Sequence, residues 1–148
     1  VSYIVEWVAF MRIQGVQQFV VYDDESGDNI TLLKQFFEQK DPECVIHVFT
    51  AFGPKQQTIT SGLRRQAESF QHCIDNFGAS SEWMMIIDVD EFVYSPAFGT
   101  ITDLIGNVAA IEQKKNKSIN HILSLNVNFG SSGQQHRFEY RLVPSASG

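Results

Sequence analysis

The sequence is poor in cysteine and proline and has no long apolar run, and each shortage removes a class of protein. Its two cysteines, Cys44 and Cys73, are too few and too far apart for a thiolate metal cluster. They read as buried reduced thiols, with a disulfide open to them only in an oxidising compartment. Four prolines and ten glycines in 148 residues, without a period, exclude collagen-like and low-complexity chains. No apolar stretch approaches the ~20 residues of a membrane span, and no signal-peptide pattern opens the chain. Any tie to a membrane is therefore expected only through an anchor outside this sequence. Eleven Lys and Arg against seventeen Asp and Glu give a formal charge of −6. A nucleic-acid footprint needs clustered base, so nucleic acid is not an expected partner.

What is present is the composition of a globular domain, 43% hydrophobic and 19% charged, long enough for one core over residues 1–148. Ile4, Trp7, Val8 and Met11 follow helical spacing, and Gly15 offers a left-handed stop. Phe19 to Tyr22 is a short apolar run of the kind found in buried parallel strands. An acidic turn, Asp23 to Asn29, follows, with Asp28 or Asn29 placed to cap a helix bearing Ile30, Leu33 and Phe37 and ending before Pro42. The pattern then repeats. Val45 to Phe49 reads as a strand, and Leu63, Ala67, Phe70, Ile74 and Phe77 line a long helix that Gly78 ends. Trp83 to Ile87 reads as a buried strand running into Asp88, and Leu104, Ile105, Val108 and Ile111 mark a fourth helix. Leu123, Leu125, Val127 and Phe129 alternate with polar residues as a half-buried strand. Strand and helix alternate, which predicts an α/β fold with a mostly parallel sheet flanked by helices.

In open α/β sheets ligands bind outside the carboxyl ends of the strands. Two acidic groups fall there, Asp23-Asp24 and Asp88-Val89-Asp90-Glu91. Carboxylates at i and i+2 beyond a strand can converge on one hard cation, and Mg²⁺ or Mn²⁺ completes its shell with water and substrate phosphate. A departing diphosphate needs such a cation to stabilise its growing charge. Asp88 and Asp90 are thus candidate metal ligands on a nucleotide diphosphate, against the bland reading of solvated loop acids. An EF-hand is excluded by spacing, because Gly99 stands where the twelfth-position Glu belongs. Asp23 and Asp24 could accept from a base N–H or ribose hydroxyls, or merely form a turn. The four histidines (His47, His72, His121, His136) show no ligand spacing, and His47 and His72 read as structural. Trp7 and Trp83 read as core. Arg137 and Arg141 are candidate phosphate partners beside the commoner solvated role.

Tyr3 to Trp7, Gly15-Val16, Phe19 to Asn29, Gln66-Ala67, His72-Cys73, Trp83 to Phe92 and Phe129 to Gly133, in this order, resemble glycosyltransferase family 92 and its family 2-like relatives. The resemblance implies a GT-A fold that transfers a sugar from a nucleotide diphosphate sugar, a UDP-sugar foremost, to a glycan acceptor with Mn²⁺ or Mg²⁺. It implies Asp23, Asp24 and Asp88 at the nucleotide and Asp88 and Asp90 as the metal-binding D-x-D, with Asp90 favoured as direct ligand and Glu91 a weaker candidate. Gly130, Ser131, Ser132 and Gly133 would lie near the acceptor. Family members are similar to inverting galactosyltransferases, often of the Golgi lumen, which makes galactose the sugar to expect.

Two departures qualify the likeness. Family members begin with a further strand and an Asn-Glu pair before the position of Val1, and that strand lies mid-sheet. They also extend well past Gly148, where the catalytic base is expected. The sequence is therefore expected to be an incomplete domain. A degenerate nucleotide-binding domain without catalysis is the alternative. Phosphatases of the haloacid dehalogenase type also carry strand-D-x-D, but they want Gly-Thr after the second Asp on a first strand, and here Glu91-Phe92 follow on a late one. Asn29-Ile30-Thr31 and Asn116-Lys117-Ser118 match the glycosylation pattern without fixing a compartment.

Overall fold

The computed structural model describes residues 2–27, 29–52 and 59–124. The chain divides into two compact units, Val1–Asn116 and Lys117–Gly148. In the first, the elements run α1 (Ser2–Ile13), β1 (Gln18–Asp23), α2 (Thr31–Lys40), β2 (Val45–Thr50), α3 (Ile59–Phe77), a single 3₁₀ turn (Gly78–Ser80) and α4 (Ile101–Lys115). In the second, the described residues 117–124 form no regular element.

β1 and β2 pair in parallel, with Phe19 opposite Ile46 and Val21 opposite Val48. Side chains alternate across a strand, so those four share one face, and Tyr22, His47 and Phe49 share the other. The first face belongs to the main core, where Phe19 and Ile46 join Ile4, Val8 and Met11 of α1, Leu33 and Phe37 of α2, and Cys44. The second face meets α3. His47 and Phe49 lie against Phe77, with ring centroids 4.7 and 6.1 Å apart, and Phe49 lies 4.9 Å from His72. Burial on both faces explains why these strands read as near-continuous apolar runs.

Helix termini follow local chemistry. Gly15 has φ of 93°, the left-handed stop expected after α1, and a Cβ there would come 1.9 Å from Thr102 Oγ1. Thr100 caps α4 by accepting the Asp103 backbone N–H at 3.1 Å, and Asn116 closes that helix in the left-handed conformation. At the end of α2, Asp41 accepts from Arg12 Nε at 2.7 Å, and that guanidinium holds its carboxyl below the usual range. Among the described residues no helix is long and apolar enough to cross a membrane.

Four expectations are corrected. Trp83 to Ile87 is not a buried strand: it belongs to no sheet, and Met84, Met85 and Ile86 are exposed. A strand needs a ladder partner for its backbone groups, and among the described residues the sheet has two strands only, β1 and β2. The parallel sheet is therefore smaller than predicted, though mixed helix and strand remain compatible with an α/β fold. On α3 the buried residues are Arg65 and Ser69, while Leu63 stays 63% and Ile74 48% exposed. Periodicity found the helix and the sheet contact of Phe77, but not that Leu63, Ala67 and Ile74 stay exposed while partners on β1 and its following turn bury the Arg65 side. Asn29 does not cap α2, whose N-cap is Ile30 without a side-chain bond, and Asp28 lies outside the described residues. Leu123 and Ser124 form no strand, and the rest of that predicted strand lies outside the described residues.

Candidate functional site

The carboxyl ends of β1 and β2 open onto a cleft of about 280 Å³ lined by Asp23, Asn29, Ile30, Thr31, Val48, Phe49 and Thr50. Asp23 ends β1, and its Oδ1 accepts the Ser26 backbone N–H at 2.9 Å. That bond is the local Asx-turn chemistry of aspartate, and it turns the chain back toward α2, whose first residues form a wall of the cleft. Asp24 is placed differently. Its carboxylate is ion-paired with Arg65 of α3, a side chain only 9% exposed. Sequence reading did not single out Arg65, since a lone arginine in a helix carries no signal of a partner 41 residues away.

Next to the cleft, the Tyr22 hydroxyl lies 2.7 Å from His72 Nδ1, and the Tyr22 ring stacks on Phe49 at 5.7 Å. Burial, with the Cys73 thiol beside it, pushes the Tyr22 phenol up to about 12. Burial also raises the Cys73 thiol, and the bond from Tyr22 opposes that rise. His47 lies 3.1 Å from Gln18 Nε2 and packs on Phe77, and His72 packs on Phe49. Neither thiol is in a disulfide: Cys44 is buried in the main core and Cys73 lies on α3 beside Tyr22.

Asp88, Val89 and Asp90 form an exposed turn closed by two reciprocal bonds. The Glu91 backbone N–H donates to the Asp88 carbonyl at 3.0 Å, and the Asp88 N–H donates to Glu91 Oε2 at 3.2 Å. Glu91 is thus engaged within the turn. Ile87 and Val93 on either side pack against the main core. Trp7 Nε1 donates to the Glu91 carbonyl at 2.8 Å, so the tryptophan read as core is also a hydrogen-bonding residue.

Asp88 and Asp90 supply oxygen donors only, two positions apart. Among the described residues no group of three or more His, Cys, Asp or Glu side chains converges as a metal cage. This donor set suits Mg²⁺ or Mn²⁺, which accept one or two carboxylates and take the remaining ligands from water and phosphate. It does not suit Zn²⁺, which asks for a nearly complete protein shell. The loop Gly130, Ser131, Ser132 and Gly133, with His136, Arg137 and Arg141, lies outside the described residues.

A parallel strand pair covered by helices on both faces, with acidic residues where β1 ends and on an exposed turn, is compatible with the α/β class, in which ligand sites lie beyond the strand ends. The chain belongs to glycosyltransferase family 92, whose family model matches residues 1–138. It is 27% identical over 134 residues to a glycosyltransferase family 92 protein of Ricinus communis, covering 88% of this chain and 21% of that protein. A family 92 protein of Oryza sativa is 27% identical over 106 residues, 69% of this chain and 16% of that protein. A galactan beta-1,4-galactosyltransferase of Arabidopsis thaliana is 26% identical over 110 residues, 73% of this chain and 20% of that protein. The chain thus spans about a fifth of the length of these relatives. No solved structure matches it. The family match leaves the phosphatase alternative without support.

Proposed function

We propose that this chain is part of a metal-dependent GT-A glycosyltransferase domain that transfers a sugar from a UDP-sugar to a glycan acceptor, with inversion. Galactose is the proposed sugar, in keeping with the galactan beta-1,4-galactosyltransferase among its relatives. The observation that carries the reading is the Asp88–Glu91 turn, exposed yet anchored to the core, within a family match over residues 1–138. Asp88 and Asp90 would hold Mn²⁺ or Mg²⁺, whose charge offsets that of the leaving diphosphate. The cleft beyond β1 and β2 would take the nucleoside, with Asp23 as acceptor for its hydroxyl or N–H groups. The catalytic base and the acceptor-side loop around Gly130 to Gly133 belong to the parts this reading does not assign.

The test is calorimetric titration of UDP with Mn²⁺ and with EDTA, on the wild type and on Asp88→Asn/Asp90→Asn. The expected result is Mn²⁺-dependent binding that the double variant loses. A folded wild type with no UDP binding at any Mn²⁺ concentration would reject the site in this chain.

A second reading, a nucleotide-binding portion without catalysis, is favoured by one observation. Among the described residues Trp83 to Ile87 has no ladder partner, so the segment leading into Asp88 stands outside the sheet. Sugar-nucleotide hydrolysis or transfer separates the two: UDP binding without turnover supports the second.

A further inference from the structure

The acidic turn closes on itself through the Asp88–Glu91 bonds, but neither bond ties it to the rest of the protein. Ile87 and Val93 pack its flanks against the core, and a directed tie to the turn itself comes from α1. The Trp7 indole N–H donates to the Glu91 carbonyl at 2.8 Å across 84 residues of sequence. The Trp7 ring in turn meets Phe19 of β1 edge-on at 5.6 Å, so the direction of its N–H is set by the core. One turn further along α1, Phe10 meets Phe92 edge-on at 5.2 Å. The end of the turn is therefore held at two successive residues, by hydrogen bond at Glu91 and by ring contact at Phe92.

We infer that Trp7 is a positioning residue for the Asp88–Asp90 cation site, holding the turn in the orientation from which both carboxylates can reach one ion. The inference rests on the metal and nucleotide reading above. Two exposed carboxylates on an unrestrained turn lose entropy when an ion brings them together, and a site held in place beforehand avoids that cost. Such supporting contacts change metal affinity without touching the metal. Trp7 acts only through the Glu91 backbone, so its contribution is absent from any list of ligands.

Trp7→Phe keeps an aromatic ring on Phe19 and removes the N–H. Mn²⁺ affinity, read from the electron paramagnetic resonance signal of the free ion with UDP at saturation, is expected to weaken about tenfold. Val8→Ala is the control, because Val8 is fully buried in the same helix. It is expected to lower the urea midpoint more than Trp7→Phe does and to leave Mn²⁺ affinity unchanged. Phe10→Leu loosens the Phe92 side of the same support, keeps the proposal testable if Trp7→Phe does not fold, and should weaken Mn²⁺ about threefold. Unchanged Mn²⁺ affinity in Trp7→Phe, or in Phe10→Leu where the former is unfolded, overturns the inference and leaves the donor-site reading standing. So does an equal loss of affinity in Val8→Ala. A folded wild type that binds no Mn²⁺ with UDP removes both.

Discussion

The guanidinium of Arg65, buried on α3, is ion-paired with the carboxylate of Asp24, one residue beyond the end of β1. This pairing separates two neighbouring acids that look equivalent in sequence. Asp24 ties the turn after β1 to α3, whereas Asp23 lines the cleft.

Asp23→Asn is therefore expected to weaken Mn²⁺-dependent UDP binding about tenfold, the loss of one charge-assisted bond. Asp24→Asn should cost roughly 1 kcal/mol of stability, modest for an ion pair because its carboxylate is 57% exposed and solvent screens it. Calorimetry and urea unfolding on the two variants check this division. Equal losses of UDP affinity in both would contradict it.

Alkaline pH should destabilise the protein in part through Tyr22. Its phenol is raised from 10.0 in the unfolded chain to about 12 in the fold, so the native state keeps its proton longer. The resulting stability is full below pH 10 and is lost as pH rises through about 12. Cys73, also raised by burial, adds a loss of the same sign. Urea midpoints measured from pH 8 to pH 12 should fall steeply in the wild type and less in Tyr22→Phe, since that variant keeps only the parts of Cys73 and Cys44, both raised by burial.

Gly15→Ala should destabilise by about 2 kcal/mol from the positive φ alone, with a further loss from the close approach to Thr102. The two parts can be separated. In the Thr102→Ala background the Oγ1 clash is gone while the backbone strain stays, so the alanine should cost less there. Thermal unfolding of the four proteins of this cycle gives the coupling directly.

Thr100→Ala should cost about 1 kcal/mol, the usual price of an N-cap. Thr100 Oγ1 accepts from the Asp103 N–H and also donates to Asp103 Oδ2 at 2.6 Å, so Thr100→Ser should recover most of the loss. Urea unfolding of both variants is the measurement.

Local periodicity in the sequence carried much of this fold. The Ile4, Val8 and Met11 stripe, the Gly15 stop, the strands at Phe19 and Val45 and the buried Leu33–Phe37 face of α2 follow from spacing and residue type. Each depends on neighbours within a turn or a strand, which is the range over which spacing informs. The acidic groups were visible for the same reason, since aspartates after an apolar run are a local pattern.

The remainder depended on contacts that spacing does not reach. Two faces of α3 compete, one with Leu63 and Ile74 and one with Arg65 and Ser69, and the sheet-side partners Asp24 and Tyr22 select the second. Trp83 to Ile87 has the composition of a strand, but strand formation is decided by a neighbour with free backbone groups rather than by the run itself. Asp23 differs from Asp24 only because Arg65 stands beside one of them. Trp7 looked like one more apolar residue until its indole N–H met the Glu91 carbonyl. By itself the sequence determined the four helices and the two paired strands of the described residues, and the aspartates that follow apolar runs, because spacing and turn propensities are local. Only the tertiary structure decided which faces are buried and which acid lines the cleft, because hydrogen bonds and ion pairs form between groups brought together by the fold.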